Sequence, residues 1–352
     1  MSSFIFEAEI TPGMGAADFC YLVKEVEIAG FDRLGVSDVV LWPDTYQLQV
    51  LAAQSTEKIM IGSMVTNPYT RHPSVHAASL ATLNDVSNGR AFCGIGVGAG
   101  LEEVGINPEK PLLKLRETIE TISNLLTGEK VTSRGETVSL DEARLVRPPS
   151  SHIPIAIGTR SPQVMRLAGE VADIALVGAR NFTESTVERY KRWLAEGAER
   201  VGRDPKEIEV APRVTLCISS ESEVALSSLK RYAAHYLEIA GEHGPLVEER
   251  RKEKIFAALG RSNGWYFDHD RFDDPELESL VDYELVRSFA IVGTPLEAAE
   301  QLEGILDLGF SQISCNLAAV RRPDNTMAEG LTETIRGASE ALSIVRRKNV
   351  IK

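Results

Sequence analysis

Apolar residues along this chain fall into short unbroken runs separated by longer stretches where they recur every three or four positions. The runs predict strands at residues 4–8, 33–36, 59–65, 91–97, 153–157, 174–177, 208–218 and 312–317. Runs of this length, rich in β-branched residues, suit a parallel sheet buried on both faces. The helical spacing predicts helices over 16–29, 46–55, 73–86, 112–126, 163–171, 186–201, 295–308 and 327–345. Glycine punctuates the joins at Ala29-Gly30-Phe31, Ser87-Asn88-Gly89-Arg90 and Leu308-Gly309-Phe310, where a left-handed residue ends a helix before the next strand. Eight strands alternating with helices predict an α/β fold, a (β/α)8 TIM barrel, in preference to an open doubly wound sheet.

Two stretches break the rhythm. Residues 128–151 read as a small hairpin excursion ending in a proline-rich turn. Residues 221–289 are long, charged and helical, with GEHGP and SNGWYFDHDRFDDPE inside them. They read as an insertion after the seventh strand, over the barrel mouth or in a subunit contact. Nothing marks an independent domain, so 1–352 is read as one domain with two insertions.

Composition narrows the function class. The chain has 352 residues, 43% of them hydrophobic, enough for a large single core. Its 38 basic and 51 acidic side chains give a net charge of −13, which disfavours nucleic-acid binding. No apolar run is long enough to span a bilayer, and MSSFIFEAEI lacks a signal peptide's basic start, so a cytoplasmic protein is expected. Cys20, Cys93, Cys217 and Cys315 form no CxxC pair and read as small buried hydrophobes. His72 and His76 have helical spacing, but nothing beside them completes a metal site.

A barrel of this class works at the C-terminal ends of its strands. There the sequence offers Glu7 and Glu9, Ser37-Asp38, Met64 to Pro68, Gly96, Gly98 and Gly100, Gly158 to Pro162, Gly178 to Arg180, and Asn316. The segment GTRSPQVMRLAGEVAD reads most clearly. A strand runs into a small-residue turn and a helix starts near Pro162. Gly158 lets a ligand approach the backbone; Thr159, Ser161 and the first helical amides can bind a phosphate, and Arg160 adds charge. The plain alternative is a helix cap with no ligand. The run CGIGVGAG is a weak dinucleotide signal, because no acidic residue ends a second strand at the right distance. As a barrel strand it makes better sense, with glycines clearing space for a flat ring system.

With IGSMVTNPYTRHP the chain resembles the luciferase-like superfamily, and within it the coenzyme F420-dependent methylenetetrahydromethanopterin reductase-like branch. FEAE, GVSD, LATLNDVSNGRAFCGIGVGAG, LRETIETISNLLTGEKV, IPIAIGTRSPQVMRLAGEVADIALVGA and FAIVGTPLEAAEQLEGILDLGFSQI carry the same resemblance over nearly the whole chain. The resemblance implies a non-prolyl cis peptide at Met64–Val65, with the segment through Thr66 and Asn67 against a cofactor ring. Gly96 and Gly98 of the glycine run are the ones expected beside that ring; the resemblance implies phosphate binding by Gly158, Thr159, Arg160 and Ser161, and a pocket lined by Leu176, Val177 and Gly178. Asp38 and Glu7 match family acids near the ring and are the candidates for handling protons; a satisfied polar group is the alternative for each. Two departures stand out. Where many relatives have Asp-His after the second strand, this chain has Asp38-Val39; where several carry an acid after the glycine run, it has Leu101, with Glu102 and Glu103 next. Sugar- and alcohol-dehydrogenase chemistry is therefore disfavoured.

The expected function is coenzyme F420-dependent hydride transfer to or from a small organic substrate, with no metal. An FMN-dependent monooxygenase is the alternative enzyme, and a catalytically silent binding protein the alternative of another class. The resemblance also implies a homodimer, with residues 46–54 and 73–83 supplying small and apolar residues to a two-fold contact.

Overall fold

The computed structural model describes residues 4–241, 244–261 and 275–350; most of SNGWYFDHDRFDDPE and part of GEHGP lie outside them. Its strands are β1 (Ile5–Ile10), β2 (Arg33–Val36), β3 (Met60–Thr66), β4 (Ala91–Ile95), β5 (Val131–Arg134), β6 (Ser139–Ala143), β7 (Ile155–Thr159), β8 (Ile174–Val177), β9 (Glu209–Ile218), β10 (Ala290–Gly293) and β11 (Gln312–Leu317). Parallel pairing runs β9-β11-β1-β2-β3-β4-β7-β8, and β8 pairs back onto β9, closing an eight-stranded barrel. These are the eight strands the apolar runs predict. The 128–151 excursion is the antiparallel β5–β6 hairpin.

One strand was not foreseen. β10 is only four residues long, too short for a periodic signal, and it pairs only with Thr215–Ile218 of β9, outside the ring. Strand β9 is thus shared lengthwise: Glu209–Pro212 meet β8, Arg213–Leu216 meet β11 and Thr215–Ile218 meet β10.

Along β1, Phe6, Ala8 and Ile10 face the surrounding helices, while Glu7 and Glu9 face the barrel interior. The expectation of strands apolar on both faces fails here, because the interior is polar and paired in layers. At the lower end Arg33 donates to Gln312 Oε1 (3.0 Å) and Glu209 Oε2 (2.8 Å). One layer up, Ser314 Oγ donates to Glu7 Oε1 (2.6 Å). Towards the mouth, Arg213 Nε donates to Glu9 Oε2 (2.5 Å) and Ser37 Oγ to Glu9 Oε1 (2.8 Å). Buried charge persists only where such partners meet it.

The helices pack with equal economy. A Cβ at Gly197 would lie 1.9 Å from Arg166 O, and one at Gly169 2.1 Å from Leu194 O. The helices Pro162–Val171 and Glu184–Arg200 therefore cross at backbone contact, fixing the turn that precedes the first. At the barrel's lower end Arg90 donates to the carbonyls of Ser87 (2.7 Å), Ile59 (2.7 Å), Ala53 (2.9 Å) and Thr56 (3.0 Å). Arg90→Met keeps the apolar stem but strands these acceptors. It is expected to cost about 2 kcal/mol, read as a lower urea midpoint; an unchanged midpoint would show that the brace adds nothing.

Candidate active site

A cavity of about 1040 Å³ opens at the C-terminal mouth of the barrel. Its barrel wall comes from Val65 at the end of β3, Gly96 to Ala99 after β4, Gly158 to Ser161 at the end of β7, Leu176 and Gly178 at β8, and Arg213 in β9. Its roof comes from the insertion: Arg231, His235, Tyr236 and Ile239 on helix Lys230–Ala240, and Leu259 on helix Glu249–Arg261. The insertion thus covers the mouth, and a separate small core that includes Leu226, Tyr232, Leu237, Val286 and Phe289 holds it there.

The peptide between Met64 and Val65 is cis, as the resemblance implied. Val65 then projects into a nest of glycines. A Cβ at Gly158 would lie 3.0 Å from Val65 Cγ1, one at Gly96 3.0 Å from Val65 Cγ2, and one at Gly94 2.1 Å from Ser63 O. The glycine run therefore makes room first for Val65 and its strand, and only at Gly96 and Gly98 does it also border the open cavity.

The β7 turn is shaped to receive an anion. Ser161 occupies the N-cap of helix Pro162–Val171, yet its side chain makes no cap hydrogen bond; its hydroxyl donates to Gln163 Oε1 (3.0 Å). The amides of Gln163 and Val164 thus lack the side-chain acceptor that an ordinary capping serine supplies. Thr159 Oγ1 accepts from Ser161 N (2.8 Å), which leaves its own proton for a ligand. Arg160 is exposed at the rim. His235 faces this corner, and its pKa is pushed down to about 4 by burial and then by Arg160 and Arg231, so the imidazole is neutral in a cationic setting.

Six of the residues expected at the site do not line the cavity. Glu7 sits deeper in the barrel, and its carboxyl pKa is raised to about 7, chiefly by burial. Asp38 is turned aside: Thr66 Oγ1 (2.6 Å) and Arg71 Nη1 (2.9 Å) both donate to it. Asn67 closes a turn by accepting from the amides of Tyr69 (2.9 Å) and Thr70 (3.0 Å). Its carbonyl lies 3.1 Å from His76 Nε2, so that nitrogen carries the proton and Nδ1 accepts from Tyr46 OH (2.8 Å). This ties the β3 end to helix Pro73–Val86 and accounts for His76 without a metal. Met64 packs inside the barrel with Phe92 and Leu176, and Val177 faces the outer helices, so Leu176 is the cavity residue of that pair.

Arg213, Arg231, His235 and Tyr236 were missed. Arg213 had a readable signal, a lone cation inside the strand run EVAPRVTLCI. The roof residues had none, since a local helical pattern does not say what the helix covers.

The luciferase-like monooxygenase family matches residues 2–312 of the chain. Among curated proteins, the 5,10-methylenetetrahydromethanopterin reductase of Methanolobus tindarius is 30% identical over 315 residues, 88% of this chain and 92% of that protein. The F420-dependent glucose-6-phosphate dehydrogenase of Nakamurella multipartita is 27% identical over 316 residues, 85% of this chain and 86% of that protein. Among solved structures, the coenzyme F420-dependent tetrahydromethanopterin reductase of Methanopyrus kandleri superposes with a TM-score of 0.79 at 27% identity, covering 95% of this chain and 97% of that one. A closed barrel with its cavity at the strand ends, matched over nearly its full length by these proteins, makes the chain a member of the luciferase-like monooxygenase family.

Proposed function

We propose that the chain is an oxidoreductase that holds coenzyme F420 in the mouth cavity and exchanges hydride between it and a small organic substrate. The observation that carries the reading is the β7 turn: an uncapped helix start, a free Thr159 hydroxyl and Arg160, all on the cavity wall. Gly158, Thr159, Arg160 and Ser161 would hold the cofactor's phosphate. Val65, Gly96, Gly98, Leu176 and Gly178 would border its ring. The cofactor supplies the hydride chemistry when bound. The protein's own work is to position the ring, exclude water beneath the helix Lys230–Ala240, and keep His235 neutral and able to accept a hydrogen bond. Titration of the protein with F420 and, separately, with FMN, followed by absorbance, tests this. Tight uptake of F420 alone is expected. Uptake of FMN alone would favour a monooxygenase, and uptake of neither a binding protein.

The reading extends to a cytoplasmic homodimer. Four free thiols fit a reducing compartment. On helix Pro73–Val86 the outward positions Val75, Ala78 and Thr82 form a small, weakly polar stripe that a two-fold contact can cover. Light scattering is expected to give twice the 38.5 kDa chain mass, and Ala78→Arg to halve it. A monomer mass for the unaltered protein at micromolar concentration would rule this out.

A further inference from the structure

We infer that the substrate taken by this cavity carries an anionic group, a carboxylate or a phosphate, and that Arg213 receives it. The inference rests on the cofactor reading above, which assigns Arg160 to the cofactor's phosphate.

The argument starts from how Arg213 is held. Its Nε and Nη2 donate to the two oxygens of Glu9. Glu9 is itself 1% exposed and accepts from Ser37 Oγ, whose own oxygen lies 3.3 Å from Thr11 Oγ1. A guanidinium has five N–H donors in a rigid plane. With one edge locked on a buried carboxylate, its orientation is fixed. Nη1 makes no hydrogen bond among the described residues, and Arg213 lines the cavity. An arginine held this way presents its remaining N–H groups to the cavity without further ordering, which is the geometry that recognises carboxylate and phosphate oxygens.

The surroundings point the same way. Arg160, Arg180 and Arg231 also line the cavity, and among the described residues Glu103 is the one carboxylate that lines it. Arg160 lies in the turn after β7 and Arg213 in β9, so a cofactor phosphate at one leaves the other for the substrate.

The test uses the F420-loaded protein. Inorganic phosphate and succinate are titrated in by calorimetry, against Arg213→Gln and Arg213→Lys. The loaded wild type is expected to bind at least one of the two anions. Both variants are expected to lose about tenfold or more of that affinity, while their F420 affinity changes less than about threefold. Arg213→Lys keeps a cation for Glu9, so it guards against a collapse caused by an unpaired buried carboxylate. Phosphate binding alone points to a phosphorylated substrate, and succinate binding alone to a carboxylic acid. Equal anion affinity in wild type and Arg213→Lys, or no anion binding by the loaded wild type, overturns the inference while leaving the cofactor reading intact. Failure of the wild type to take up F420 overturns the cofactor reading first and this inference with it.

Discussion

Arg160→Glu is expected to weaken F420 binding about 100-fold while leaving the fold unchanged. Arg160 is exposed and its guanidinium makes no hydrogen bond among the described residues, so the barrel loses no contact when it is replaced. The backbone of the turn is fixed by other means. Tyr190 OH donates to Arg160 O, and the helix behind it is clamped at Gly169 and Gly197. The affinity loss combines a charge-assisted hydrogen bond to phosphate with a new repulsion. An internal reporter accompanies it. Removing a positive charge from beside His235 should let its pKa rise from about 4 towards the ordinary value, which an imidazole proton titration by NMR would read. Unchanged affinity with a shifted His235 would place the charge correctly and remove the phosphate from this turn. Reversing the exposed, distant Arg147 serves as the control.

Glu7→Gln is expected to stabilise the protein in alkaline conditions and to do little in acid. The carboxyl of Glu7 titrates near 4.5 in an unfolded chain and is raised to about 7 by burial, against the opposing pull of Ser314 and Arg33. Between those values the native state keeps a proton that the unfolded chain has released. The stability this brings is complete below about pH 4.5 and is lost as pH rises through 7. The full swing is roughly 3 kcal/mol by the usual 1.36 kcal/mol per unit. Glutamine keeps an oxygen for Ser314 and never ionises, so its advantage should grow with pH to about that size above pH 8. Urea midpoints of both proteins at pH 5 and pH 8 provide the comparison. Parallel pH trends would show that Glu7 is already ionised at pH 5.

Much of the fold was legible because barrel strands buried beneath helices leave apolar runs that need no tertiary knowledge to see. The polar interior was less so, although β1 spells it out: Phe6, Glu7, Ala8, Glu9 and Ile10 alternate at the strand period. Read as a strand-end motif, Glu7 is a candidate for handling protons. Read as an alternation, Glu7 and Glu9 belong to a lined interior. The glycines after β4 admit two readings, since a missing side chain does not say whether a ligand or Val65 takes the space. Asp38 illustrates a third limit. Its partners Thr66 and Arg71 lie 28 and 33 residues away, and no local pattern foretells that they close around it. The β7 turn was legible because everything it needs is contiguous: a strand, a glycine, hydroxyls, a cation and a proline at the first helical position.

The lengthwise sharing of β9 has a consequence for how such enzymes diversify. The insertion leaves β9 at Ile218 and ends in β10, whose last residue, Gly293, is paired with Ile218. Its two ends thus lie one strand spacing apart, about 4.8 Å, and its small core reaches the rest of the chain at Cys217, Ala318 and Val320. A segment anchored at a single doorway can be exchanged, lengthened or shortened without moving the strands that flank it, because closing its ends requires nothing new of them. The roof residues Arg231, His235 and Tyr236 travel with that cassette, while Val65, Gly158 and Arg160 stay behind in the barrel. Grafting residues 219–289 between relatives should therefore redirect substrate preference while conserving the cofactor.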